Sequence, residues 1–142
     1  MSGSGWSEVE KAAMKERAEE LRAEKGGKKK ADALADLLSK IAQMPDEERV
    51  IAERLHSLVM DAAPELEPRT WYGMPAWTLD GKVLCFFQAG SKYESRYCTF
   101  GFQDVAALDD GAMWPASFAL VSLGPEQEKV VSALVRRAVG RG

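Results

Sequence analysis

The chain has 142 residues, of which 46% are hydrophobic and 29% charged, a balance that fits an ordinary globular domain and excludes a chain disordered as a whole. The net charge is −3; the first 70 residues hold 12 Lys/Arg and 15 Asp/Glu, and the other 72 hold seven of each. With no basic excess, and no apolar run near the roughly 20 residues of a spanning helix, neither nucleic acid nor membrane is an expected partner.

The opening Met-Ser-Gly-Ser-Gly lacks the basic and apolar regions of a secretory signal, so a cytoplasmic location is expected. Ser7 and Glu10 fit a capping box, and Val9, Ala13, Met14, Ala18 and Leu21 follow at helical spacing as far as Gly26-Gly27. This first helix has a weak apolar stripe, and residues 1–30 are read as a flexible leader with a weak helix. The basic run from Lys25 to Lys30 is broken by glycines and reads as a solvated linker.

Residues 31–142 read as a single α+β domain. Leu34, Leu37, Leu38, Ile41 and Ala42 predict an amphipathic helix that Met44-Pro45 ends. Asp46 is expected to cap a third helix carrying Ile51, Leu55, Leu58, Val59 and Ala62 and ending at Pro64. Strands are then predicted near 69–72, 75–79, 82–89, 95–102 and 117–123, with a helical turn near 104–109. Gly124-Pro125-Glu126 opens a last helix whose apolar face is Val130, Val131, Leu134, Val135 and Ala138. The expected architecture is N-terminal helices and a C-terminal helix packed on an antiparallel β meander of four to five strands.

Asp80-Gly81 signals a type I′ hairpin. Its centre pairs Leu79 with Lys82, Trp77 with Leu84 and Pro75 with Phe86. A second hairpin through "AGSKYE" is expected to set Cys85 opposite Cys98, Val83 opposite Phe100 and Phe86 opposite Tyr97. Alternation then puts Ala76, Thr78, Val83, Cys85, Phe87, Cys98 and Phe100 on one face, and Trp77, Leu79, Leu84, Phe86, Tyr97 and Thr99 on the other. Both faces are apolar, whereas an antiparallel sheet needs only one covered face. The second face is therefore covered by the chain's own helices, the Trp114 segment or the Trp6 leader, or it is a homodimer interface, or it lines a ligand pocket. In the last case the binding residues are Tyr72, Met74, Trp77, Phe86 and Trp114.

Signs of catalysis are sparse. His56 is the one histidine, and the glycines match neither the P-loop nor the dinucleotide-binding pattern. Cys85 and Cys98 could pair, but in a reducing compartment they read as buried, reduced small hydrophobes. The carboxylates at Asp46, Glu47, Glu48 and Glu53, at Asp61, Glu65 and Glu67, and at Asp109 and Asp110 could hold a divalent cation, although each set has a local role at a helix start or turn.

The segments "TWYGMPAWTLDGKVLCFF", "RYCTFGF" and "LDDGAMWPASFAL", followed by an amphipathic helix, resemble the YdhG-like family of small bacterial proteins of unknown function. The similarity runs from about residue 32 to 139. It implies an α+β fold of helices against an antiparallel sheet. Because some members carry the label of frataxin-like iron chaperone, it also implies possible iron binding, for which Asp46, Glu47, Glu48 and Glu53 are the acidic patch; it fixes no metal ligand position by position. Two functions are thus expected: a non-enzymatic cytoplasmic binding protein for a small molecule or protein, needing no cofactor, or an iron chaperone holding iron weakly on surface carboxylates.

Overall fold

The sheet is a five-stranded antiparallel meander whose strands lie side by side in chain order. The structure is a computed structural model that describes residues 6–25 and 29–140. Helices α1 (Glu8–Lys25), α2 (Lys30–Ala42) and α3 (Asp46–Ala62) precede strands β1 (Glu67–Trp71), β2 (Met74–Leu79), β3 (Lys82–Gln88), β4 (Cys98–Phe102) and β5 (Ser117–Leu120), and helix α4 (Pro125–Ala138) follows. The α+β fold read from the sequence is therefore the observed one. Among the described residues no helix is long and apolar enough to cross a membrane.

Local chemistry explains most element ends. Ser7 and Glu10 cap α1 reciprocally: the Glu10 amide donates to Ser7 Oγ at 3.1 Å and the Ser7 amide to Glu10 Oε1 at 3.0 Å. Helix α3 starts differently from expectation. Pro45 holds the cap position and Asp46 is the first helical residue, with no side-chain capping bond; its carboxylate meets Arg49 at 3.3 Å instead. The expected helical turn at 104–109 is an irregular loop, and a short 3-10 turn at Ser91–Tyr93, unforeseen in the sequence, joins β3 to β4.

Helices α2, α3 and α4 bury Leu37, Ile41, Leu55, Val59, Val131 and Val135 against one face of the sheet, the inner face, which carries Trp77, Leu84, Cys85, Phe87, Phe100 and Phe102. Membership of that face corrects the predicted register. The Asp80-Gly81 turn is as expected, with positive φ at both residues and Leu79 opposite Lys82. One step further the ladder slips, so that Thr78 faces Val83 but Trp77 faces Cys85. The extra residue, Leu84, is a β-bulge, and a bulge puts two successive side chains on one side. Leu84 and Cys85 are accordingly both buried in the inner core. Trp77 follows them inward, whereas Phe86, opposite Ala76, faces outward.

The second hairpin also differs. Cys85 pairs with Phe102 and Phe87 with Phe100, so the expected pairing of Cys85 with Cys98 is displaced by four residues along β4. An even slip keeps each β4 side chain on its face, so Cys98 and Phe100 still point inward. Four residues span about 13 Å of strand, beyond the roughly 7 Å limit between Cα atoms of a disulfide. Both cysteines are buried free thiols.

Candidate functional site

The five residues expected to line one pocket are placed in different surroundings. Trp77 is fully buried in the inner core, and its Nε1–H donates to His56 Nδ1 at 3.1 Å. Trp114, in the β4–β5 connection, packs half-buried against the same core. Phe86 lies on the outer face, where its ring covers Gly101 and meets Trp71 at a centroid distance of 5.4 Å. Met74 is buried at the start of β2, and Tyr72 packs edge-on to Trp71 at 5.2 Å. Trp77 and Phe86 are thus on opposite faces because of the Leu84 bulge: Trp77 and Trp114 belong to the inner core, while Tyr72 and Phe86 are linked through Trp71, which Met74 also faces in the ladder. The outer face is covered at this point by its own aromatic rings, with Ala76 fully buried between Arg69 and Phe86.

The potentially reactive side chains are also accounted for. His56 Nδ1 accepts the Trp77 proton, so its own ring proton sits on Nε2. Burial holds its pKa below the ordinary value and keeps the ring neutral. The Cys85 thiol is pushed far up by burial. Burial also raises Cys98, against the Gly90 amide that donates to its sulfur at 3.4 Å, and the nearby Glu48 carboxylate adds to the rise. Both thiols are protonated at neutral pH, the unreactive form.

Three of the four carboxylates of the acidic patch have partners. Arg49 lies between Asp46 at 3.3 Å and Glu53 at 3.7 Å, and Glu48 accepts the Ser91 amide at 2.9 Å. Among the described residues no group of three or more His, Cys, Asp or Glu side chains is placed to hold a metal ion.

A well-formed concavity lies elsewhere, between α2 and the edge strand β1. It is a groove of about 540 Å3 with Leu34, Leu66 and Pro68 in its walls, and Lys30, Glu67, Arg69 and Thr70 alongside them. Lys30 Nζ approaches Glu67 Oε2 at 2.6 Å across it, and Thr78 Oγ1 donates to the Glu67 carbonyl at 3.0 Å. Leu66 is buried and Lys30 exposed, while Glu67 Oε2 and Arg69 Nε are buried, so polar atoms reach into the groove beside its apolar side chains.

A second polar centre joins α1 to the β1–β2 turn. Tyr72 and Gly73 both have positive φ, which directs their successive amides to one side. Both donate at 3.0 Å to the two carboxylate oxygens of Glu20. Beside them Glu16 bridges Lys40 at 2.8 Å and Lys92 at 2.7 Å. Burial opposes ionisation of Glu16, but the two ammoniums outweigh it and hold its pKa below the ordinary value. Glu16, Glu20, Lys40 and Lys92 did not stand out in the sequence. The available signal was the pair Tyr72-Gly73 between two strand-like segments, a turn dipeptide, together with carboxylates four apart on one helix face.

No family model, no curated protein and no solved structure matches the chain. The resemblance to YdhG-like proteins therefore rests on the motif segments alone.

Proposed function

We propose that the chain is a non-enzymatic cytoplasmic binding domain that holds a small ligand in the groove between α2 and β1. The observation that carries this reading is the groove itself: about 540 Å3, lined by apolar side chains with a few charged groups among them. Small-molecule sites fall in the range of roughly 300–1,000 Å3 and combine the same two kinds of surface. A ligand suited to it has an apolar body against Leu34, Leu66 and Pro68, and a polar end that reaches Lys30, Glu67 or Arg69. Binding rather than catalysis is supported by the state of the candidate catalytic groups, since His56 is neutral and committed to Trp77 and both thiols are held protonated.

The site differs from the aromatic one expected from sequence, whose members lie on both faces of the sheet. The iron-chaperone reading draws on the resemblance, and the local partners of Asp46, Glu48 and Glu53 do not favour it. A fragment screen followed by amide NMR tests the groove. Hits are expected to shift Lys30, Leu34, Glu67 and Thr70 together and saturably, and Ala33→Phe, which fills the groove from α2, should abolish those shifts while leaving the remaining spectrum intact. Saturable binding that maps elsewhere, or that Ala33→Phe leaves unchanged, would overturn the assignment.

A further inference from the structure

Helix α1 is attached to the body mainly by charge. Ala13 is its buried apolar side chain, while Met14 and Leu21 are 38% and 43% exposed. Its polar attachment is concentrated at one place. Glu20 takes both turn amides, and Glu16 takes the ammonium groups of Lys40 from α2 and Lys92 from the 3-10 turn. Lys92 Nζ also donates to the Tyr72 carbonyl at 3.3 Å, and Tyr93 Oη reaches the same carbonyl at 3.4 Å. The Glu16–Lys92 pair sits directly on Gly73, in the space a Cβ would occupy.

Without α1, the body presents two adjacent amides pointing one way and two lysines a few ångströms from them. That is a receptor for oxygen anions, because aligned amides and ammoniums supply donors and positive charge, and the one acceptor beside them, the Tyr72 carbonyl, is already taken by Lys92 and Tyr93. The carboxylates of α1 show what fits it.

We infer that the Tyr72–Gly73 turn, Lys40 and Lys92 form a binding site for a small oxyanion, a carboxylate or a phosphate group, which α1 fills with its own Glu16 and Glu20. Anion binding and α1 docking exclude one another. An internal occupant lowers the apparent affinity for an external one by the fraction of molecules in which the site is free. The site shares only Glu20 with the walls of the α2–β1 groove and does not depend on a ligand there.

The test uses the full chain titrated with inorganic phosphate and, separately, with succinate at constant ionic strength. In the wild type, either anion is expected to move the Tyr72 and Gly73 amide resonances and to speed hydrogen exchange across α1 in parallel. In Glu16→Gln/Glu20→Gln, which keeps the shape and removes the charge, the same shifts should saturate at anion concentrations lower by at least about tenfold. Adding Lys40→Met and Lys92→Met should abolish them. The anion that saturates first tells whether the site is built for phosphate or for carboxylate. The inference is overturned if the Tyr72 and Gly73 amides respond to neither anion, or if they respond while exchange in α1 of the wild type is unchanged. The wild-type measurements decide the matter even if the double variant does not fold.

Discussion

Gly73 combines two constraints that no other residue type satisfies. Its φ of +75° is left-handed backbone, and the volume of a Cβ there belongs to Lys92 Nζ and the Glu16 carboxylate. Gly73→Ala is therefore expected to cost roughly 1–3 kcal/mol in backbone strain and to push the ion pair apart. Urea denaturation would read the loss, and faster amide exchange in α1 would show that it includes detachment of the helix; unchanged exchange would mean that the pair tolerates the methyl group. Gly81 makes a useful contrast, because its φ is +81° but its Cβ position is open, so alanine there should bring the strain without the displacement. A second residue-scale prediction concerns His56. Its neutral form is favoured by burial and accepts the Trp77 indole proton. Trp77→Phe removes that donor, so the His56 pKa should rise towards its ordinary value, and the lost bond should cost about 1 kcal/mol beyond any packing change. An NMR titration of the imidazole would check it, with an unmoved or lowered pKa as the contrary result.

At the scale of elements, the helices were legible because their apolar residues recur with a period that nothing else explains. The first hairpin was legible at its turn and as far as Thr78 opposite Val83, but not beyond. Val83-Leu84-Cys85-Phe86-Phe87 is apolar at every position, so alternation carries no phase information and cannot reveal that Leu84 is an extra residue. The consequence was an inverted assignment of Trp77 relative to Phe86, and with it a binding site whose members the fold separates. The 3-10 turn at Ser91–Tyr93 was illegible for a related reason: a loop of several polar residues can close in more than one register, and the choice is made by tertiary bonds such as Ser91 to Glu48. Two predictions follow from the corrected sheet. Gly101 lies beneath the Phe86 ring, where a Cβ would overlap it, so Gly101→Ala should destabilise by about 1–3 kcal/mol. In Phe86→Ala the same change should cost much less, and a double-mutant cycle by thermal denaturation would measure the coupling; additive losses would contradict the packing. Mild oxidants should also leave Cys85 and Cys98 without an intramolecular bond, and a disulfide in peptide mapping would contradict the register.

For the whole molecule, the chain is a firmly packed body of α2, α3, α4 and the sheet, with α1 held to one end by carboxylates. These two parts respond to acid in different pH windows. His56 is lowered in the folded state, so the unfolded chain takes up its proton first. The stability linked to His56 is complete above about pH 6.5 and is lost as pH falls from there towards the folded-state value. Glu16 is also lowered from its ordinary 4.5, so its contribution is complete above that value and disappears only as pH falls below it. Acidification should therefore weaken the contact of α3 with β2 before it loosens α1. Urea unfolding between about pH 7.5 and pH 5 should show a decline in the wild type that is smaller in His56→Gln, which offers Trp77 an uncharged acceptor. Amide exchange in α1, followed below about pH 5, should accelerate in the wild type, whereas in Glu16→Gln it should already be fast and respond less to pH. If α1 exchange rises over the His56 window instead, or if Glu16→Gln leaves its pH dependence intact, the Glu16 bridge to Lys40 and Lys92 is not what holds the helix.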